Sequence, residues 1–263
     1  MTAAGGANVA ITGAVTQVSQ KINNLGYAAY TQGTYDITDR LSFTAGARLT
    51  SERKRVANAI FAETPGFIGS NVRRAGELDF AFDRSERFND ISPMANLSFQ
   101  LTDDAMLYTT FSKGFKSGGF NGRANALELT APIDDEKLTS YEVGFKSGWL
   151  VNRVSLNGAA YWSIYENIQL TIPSGNNGQA QILVINAGEA EIKGGEVEIR
   201  AQIIPNLELT ASLGVVNSRY TEFDDPSNAF ADDRRLLATP DYTGNIALAQ
   251  RVAYHQYRLL ERQ

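Results

Sequence analysis

Few side chains in this 263-residue sequence have the types and spacing to do chemistry, and they fall in polar connections. The adjacent carboxylates Asp134-Asp135 and Asp232-Asp233 have the composition of acid–base pairs. Carboxylate catalysis also needs a partner group and a shaped site around it. Neither pair has a histidine, a cysteine or a glycine-rich phosphate cradle beside it, because the chain holds no cysteine and one histidine, His255. Solvated charge is the better account, so the sequence predicts no enzyme, no metal site and no cofactor. The richer stretch is Leu107–Arg123, LYTTFSKGFKSGGFNGR, where Lys113, Lys116 and Arg123 are interleaved with Phe115 and Phe120. Gly118, Gly119 and Gly122 lie within five residues there, which supplies positive φ and close backbone approach and excludes a strand interior. A second loop carries Arg234 and Arg235 beside its aspartates. Aromatics and cations on loops are ligand-binding material, and the bland reading is a glycine-rich turn with solvated charges.

The elements that position these loops follow from alternation. Residues Leu25 to Ile37 alternate with period two. After Thr38-Asp39-Arg40, the residues Leu41, Phe43, Ala45, Ala47 and Leu49 alternate with Ser42, Thr44, Gly46, Arg48 and Thr50. Similar runs are predicted at Phe88–Leu101, Leu107–Phe115, Leu138–Trp149, Val154 to about Thr171, Ile182–Ile203, Leu207–Val215 and Asp241–Tyr254. Pro93 is expected near the outer end of its strand. In the Ile182–Ile203 run the apolar parity changes around Gly194-Gly195, which predicts a β-bulge there. Residues 1–23 read as a poorly structured loop or frayed strand, 24–254 as the strand region and 255–263 as a tail.

The connections alternate in length. Thr38–Arg40, Thr102–Asp104, Leu150–Arg153 and Pro205-Asn206 are short, whereas those around 62–87, 117–137, 173–180 and 221–239 are long and polar. Short turns at one end and long loops at the other, joined by strands long enough to cross roughly 25–30 Å of hydrocarbon, describe an up-and-down transmembrane barrel. A soluble β-sandwich would have shorter strands and short turns at both ends. By parity Arg48, Glu142, Lys146, Glu196, Glu198 and Arg200 share the polar face, which a barrel turns towards its lumen as structural charge.

Composition agrees with this. No apolar run approaches the roughly 18–20 residues of a membrane helix, and mean hydropathy is slightly negative, which leaves a β-barrel open. The 11 Tyr and 13 Phe suit strands and interfacial girdles. A net charge of −5 argues against nucleic acid as a partner. The first twenty residues show no basic segment followed by an apolar one.

The stretch YTTFSKGFKSGGFN (Tyr108–Asn121) resembles the signature of TonB-dependent outer-membrane receptors, carried by Lys113, Gly114, Phe115, Lys116, Gly118, Gly119, Phe120 and Asn121. Three further segments resemble the same family in the same order: Ala28–Lys54, Lys137–Trp162 and Ile185–Ala201. The resemblance implies an all-β fold, an antiparallel up-and-down meander of long strands forming about nine to ten strands of a 22-stranded transmembrane β-barrel. It implies the middle-to-late portion of that barrel, with the plug domain and both barrel ends missing from this sequence. The implied function is TonB-energised uptake of a scarce nutrient, above all a ferric siderophore, across the bacterial outer membrane. The implied partners are that ligand, outer-membrane lipid, and the TonB complex through a plug domain. A passive porin-like channel or an adhesin barrel is the alternative. Phe120, Arg123, Arg234 and Arg235 are the ligand-facing loop candidates, against packing between loops and plain solvation.

Overall fold

The computed structural model describes residues 16–62, 66–68, 71–73, 78–122, 124, 126–176, 179–186, 188–223 and 235–251. Among these, nine strands form one antiparallel meander in which every strand pairs with its neighbour along the chain. They are β1 (Thr16–Thr38), β2 (Leu41–Ala62), β3 (Leu78–Thr102), β4 (Ala105–Lys116), β5 (Glu136–Trp149), β6 (Val154–Glu166), β7 (Gly188–Ile204), β8 (Leu207–Phe223) and β9 (Tyr242–Gln250). The tight turns fall at 39–40, 103–104, 150–153 and 205–206, all at one end of the sheet, where the sequence places them. No helix among the described residues is long and apolar enough to cross a membrane.

The two faces differ as alternation requires. One cross-sheet row of register partners runs Gly33, Ala45, Ala95, Phe111, Tyr141, Trp162, Lys193 and Asn217. Odd-numbered residues of β2 to β5 share this outward face, as do the even-numbered ones of β6. Leu49, Leu97, Phe99, Leu107, Val143, Trp149 and Leu213 are exposed on it. These exposed apolar side chains form a belt suited to lipid. Phe111, Tyr141 and Trp162 stand side by side at its upper edge, with ring centroids 5.4 and 5.6 Å apart.

The upper edge of the belt climbs across the rows. On β1 the last apolar outward residue is Leu25, eight residues above the row; on β8 it is Val215, two residues below it. A shift of ten residues over seven strand steps, at ~3.3 Å per residue and ~4.8 Å per strand, gives a strand tilt of roughly 40–45°. That is the slope of a closed outer-membrane-type barrel.

Above the belt the polarity of the faces inverts. On β2 the inward Val56 and Ile60 are buried and the outward Arg53 and Arg55 are exposed. On β3 the inward Phe82 and Phe88 are buried and the outward Asp83 and Arg87 exposed. The cause is a change of surroundings: outside is water and headgroup instead of hydrocarbon, and inside is covered by loops.

This inversion corrects the bulge expected at Gly194-Gly195. The β6–β7 and β7–β8 registers run unbroken through both glycines. The register shifts lie instead between Glu189 and Ala190 and between Gln202 and Ile204. Ala190 and Ile192 share the inward face of Glu196 and Glu198, and Ala190 is fully buried there under loop side chains.

Other expectations shift as well. β1 begins at Thr16, because it pairs with β2 up to Ala62, so residues 16–23 are strand. β3 begins at Leu78, ten residues before Phe88, which shortens the long connection. β6 ends at Glu166. The chain turns at Asn167, at φ 55°, and residues 169–176 and 179–186 form a separate hairpin where a loop around 173–180 was expected. Pro93 lies mid-strand; it is tolerated because the β3–β4 ladder stops beside it at Met94–Ser112, where a missing N–H costs nothing. Residues 1–15 and 252–263 lie outside the described residues.

Candidate functional site

The signature stretch divides where its glycines begin. Ala105–Lys116 is strand β4, and from Ser117 the chain folds back over the inward face of the sheet. Gly119–Phe120 pairs with Pro132–Ile133, and Leu127–Thr130 forms a 3-10 turn between them. Gly118 makes this return possible: a Cβ there would lie 2.0 Å from the Ile133 carbonyl and 2.4 Å from the Phe88 ring. Gly114 and Gly119 have open space instead.

Two opposite walls hold the loop. On the β1–β2 wall, Ser117 donates to Glu52 at 2.7 Å, and Lys54 donates to the Gly118 carbonyl at 2.7 Å. The Gly122 carbonyl accepts from Gln20 at 2.7 Å and from Asn58 at 3.1 Å. Lys54 also stands 5.8 Å over the Phe88 ring. On the other wall, Asn121 brackets one residue of the 179–186 hairpin. Its amide donates to the Val184 carbonyl at 3.0 Å, and its carbonyl accepts from the Val184 N–H at 2.7 Å.

Glu136 closes the base of the loop. It is 2 % exposed and accepts from Lys116 at 3.0 Å, from the Tyr165 hydroxyl at 2.5 Å and from the Gln169 N–H at 2.8 Å. Such charge-assisted bonds are about twice as strong as neutral ones. Asn186 adds a second clasp, accepting from the Asp134 N–H at 2.8 Å and donating to the Asp134 carbonyl at 3.1 Å.

The predicted site residues separate. Phe120 packs beside the buried cluster of Val56, Phe82 and Ala124 and keeps one edge towards a hollow lined by Gln20, Asn24, Lys54 and Gly122. Arg235 is ion-paired with Asp241, and its guanidinium holds the Asp241 carboxyl below the usual carboxylate range. Arg123 and Arg234 lie outside the described residues, as do Asp232-Asp233 and His255. Of the signature residues, Lys116, Gly118 and Asn121 build the loop. Lys113 and Phe115 project from the outward parity of β4. Asp134 joins the clasp through its main chain, away from any acid–base partner. Among the described residues no group of histidine, cysteine or carboxylate side chains could hold a metal ion.

Sequence reasoning missed Glu136, Asn186, Glu52 and Lys54 as loop anchors. Their partners lie 20 to 65 residues away, so no local spacing exposes them. The lumen charges fall on the inward face: Tyr108 donates to Glu142 at 2.8 Å, Lys146 stands 5.6 Å over the Tyr108 ring, and Arg200 pairs with Glu208 at 2.8 Å.

A tilted meander with a lipid-facing belt, a charged inner face and a loop folded inward across it defines a segment of a large outer-membrane transport barrel. The family profile described as "TonB dependent receptor-like, beta-barrel" matches residues 2–260, and the chain belongs to that family. The family consists of outer-membrane transport receptors and not of enzymes, and this chain is an outer-membrane protein. It is 26 % identical over 196 residues to the pesticin receptor of Yersinia enterocolitica, an alignment covering 74 % of this chain and 26 % of that one. It is also 26 % identical over 199 residues to the metal-pseudopaline receptor CntO of Pseudomonas aeruginosa, covering 68 % and 26 %. The chain thus spans about a quarter of the length of these curated relatives. Its fold matches the crystal structure of the ferric yersiniabactin uptake receptor FyuA from Yersinia pestis, with a TM-score of 0.72 at 20 % identity over 91 % of this chain and 33 % of that one.

Proposed function

We propose that this chain is part of a receptor that takes up a ferric siderophore, or a similar metal chelate, by TonB-energised transport. The observation that carries the reading is the loop from Ser117 to Asp135, which crosses the inward face and is tied to two walls, within a chain of this family. A loop fastened there narrows the lumen and offers a fixed surface to a ligand arriving from outside. Receptors for pesticin, for metal-pseudopaline and for ferric-pyoverdine are among the similar proteins, which supports a metal-chelate ligand. Phe120, Arg123, Arg234 and Arg235 are the proposed ligand contacts. Coupling to TonB passes through a plug domain in this reading.

The test places the full-length receptor in a bacterium deleted for its own siderophore receptors and grown under iron limitation. A panel of ferric siderophores is supplied. Restored growth with one of them, lost when TonB is deleted, is the expected result. Uptake that persists without TonB and extends to unrelated solutes of similar size would instead identify a passive channel.

A further inference from the structure

The outward cations above the belt on β6 to β8, Lys193 and Arg219, are neutralised within the protein. Glu191 accepts from Lys193 at 2.9 Å, from Arg219 at 3.1 Å and from the Trp162 indole at 2.8 Å. The outward face of β1 to β3 differs. Arg53 and Arg87 are direct register partners on adjacent strands, both outward and both exposed. Like charges directly opposite each other on a sheet destabilise it. Among the described residues no carboxylate is paired with either: Arg53 donates to the Ser85 hydroxyl at 3.1 Å, and the Arg87 guanidinium has no hydrogen-bond partner. Lys21 lies nearby on the same face, likewise without an ion pair among the described residues, and Arg55 pairs with Asp83 at 2.5 Å. This local excess of positive charge stands on a chain whose net charge is −5.

We propose that the outward face of β1 to β3 docks the phosphorylated headgroup of an outer-leaflet glycolipid, with one phosphate gripped between Arg53 and Arg87. Guanidinium forks match phosphate oxygens in bidentate geometry, and an anion between them removes the repulsion that the bare pair carries. Height selects the lipid. Arg53 lies four residues above Leu49, and Arg87 four above Ile91, the uppermost large apolar outward residues of the belt on their strands. Four residues along a tilted strand raise the guanidinium bases about 10 Å above the hydrocarbon edge. A phospholipid headgroup layer is only about 5–7 Å deep. A sugar-phosphate headgroup reaches that level. The polar Ser51 and Asn89, one outward position lower, give the sugars hydrogen-bonding groups.

The test uses the full-length receptor in lipid nanodiscs and two probes, a bisphosphorylated acylated glucosamine disaccharide and its dephosphorylated counterpart. Wild type is expected to bind the phosphorylated probe at least about fivefold more tightly. R53Q/R87Q is expected to reduce that preference below about twofold, and K193Q/R219Q to leave it unchanged. The heat-dependent gel mobility of a folded barrel confirms folding of each variant. If the double variant does not fold, R87Q alone is used, with a loss of about half the preference in log units expected. Wild type binding both probes equally overturns the proposal, as does an arginine variant that keeps the full preference. Displacement of the probe by millimolar inorganic phosphate would make this a soluble-anion site and also overturn it.

Discussion

Lys116 and Glu136 are register partners across the β4–β5 step, and their side chains meet at 3.0 Å directly beneath the loop that their strands enclose. The last residue of one strand and the first of the next thus fasten the loop at its base. The pair is asymmetric, with Lys116 open to solvent and Glu136 buried, so the carboxylate carries more of the consequence of mutation.

Replacing Glu136 by Ala strands the Tyr165 hydroxyl and the Gln169 N–H without an acceptor. The expected cost is about 2–3 kcal/mol, taking the unmade hydrogen bonds as the main loss and discounting the exposed lysine. Urea unfolding of the full-length receptor in detergent measures it. Asn121→Ala is expected to cost about 1–2 kcal/mol and to raise hydrogen exchange at the Val184 amide. An unchanged Val184 amide would show that the bracket does not hold the hairpin.

Gly118→Ala is expected to destabilise by about 2 kcal/mol or more, because the new methyl must displace backbone at Ile133 or the Phe88 ring. Gly119→Ala, one residue on, meets open space and is expected to stay within about 0.5 kcal/mol of wild type. Equal effects at the two positions would mean that the loop does not approach β3 as described.

Ala211 and Ser212 are neighbours on β8 and face opposite sides. Ala211→Arg places a cation in mid-belt, for an expected cost of about 2–4 kcal/mol in a bilayer. Ser212→Arg enters the lumen opposite Glu198, with an expected cost near zero. Unfolding titrations in liposomes distinguish the faces, and the reverse order would invert the assignment of inside and outside.

The Arg235–Asp241 pair gives a pH dependence. Its hydrogen bond lowers the Asp241 pKa in the folded state below the ordinary value of 3.8. A lowered folded pKa contributes order that is present above the unfolded pKa and lost as pH falls through the folded one. Relative to the intrinsic amide rate at each pH, the protection of residues 235–241 from hydrogen exchange is therefore expected to be unchanged from pH 7 to about 5 and to fall below about 4. Asp241→Asn should show the reduced protection at every pH.

Within the belt the sheet was legible from sequence, and above it was not, for one reason. Between Leu41 and Leu49 the outside is hydrocarbon and the inside water, so apolar and polar residues alternate cleanly. From Thr50 to Ala62 the same strand continues, but Arg53 and Arg55 now face out and Val56 and Ile60 face in. The extent of β2 is still legible from where the polar connection begins, but the same inversion on the other strands misleads: a reader following one parity begins β3 at Phe88 and infers a bulge at Gly194-Gly195. The tight turns were read correctly because their polar residues need no distant partner. The loop anchors were not, because Lys54 and Gly118, or Asn121 and Val184, come together only once the sheet has formed.

The strands do not end at one height. β2 runs thirteen residues past Leu49, roughly 30 Å above the hydrocarbon at this tilt, whereas β6 stops four residues past Trp162 and turns at Asn167 into a hairpin that leans on the inner loop. The mouth is therefore built like a porch, with one tall wall and one eave.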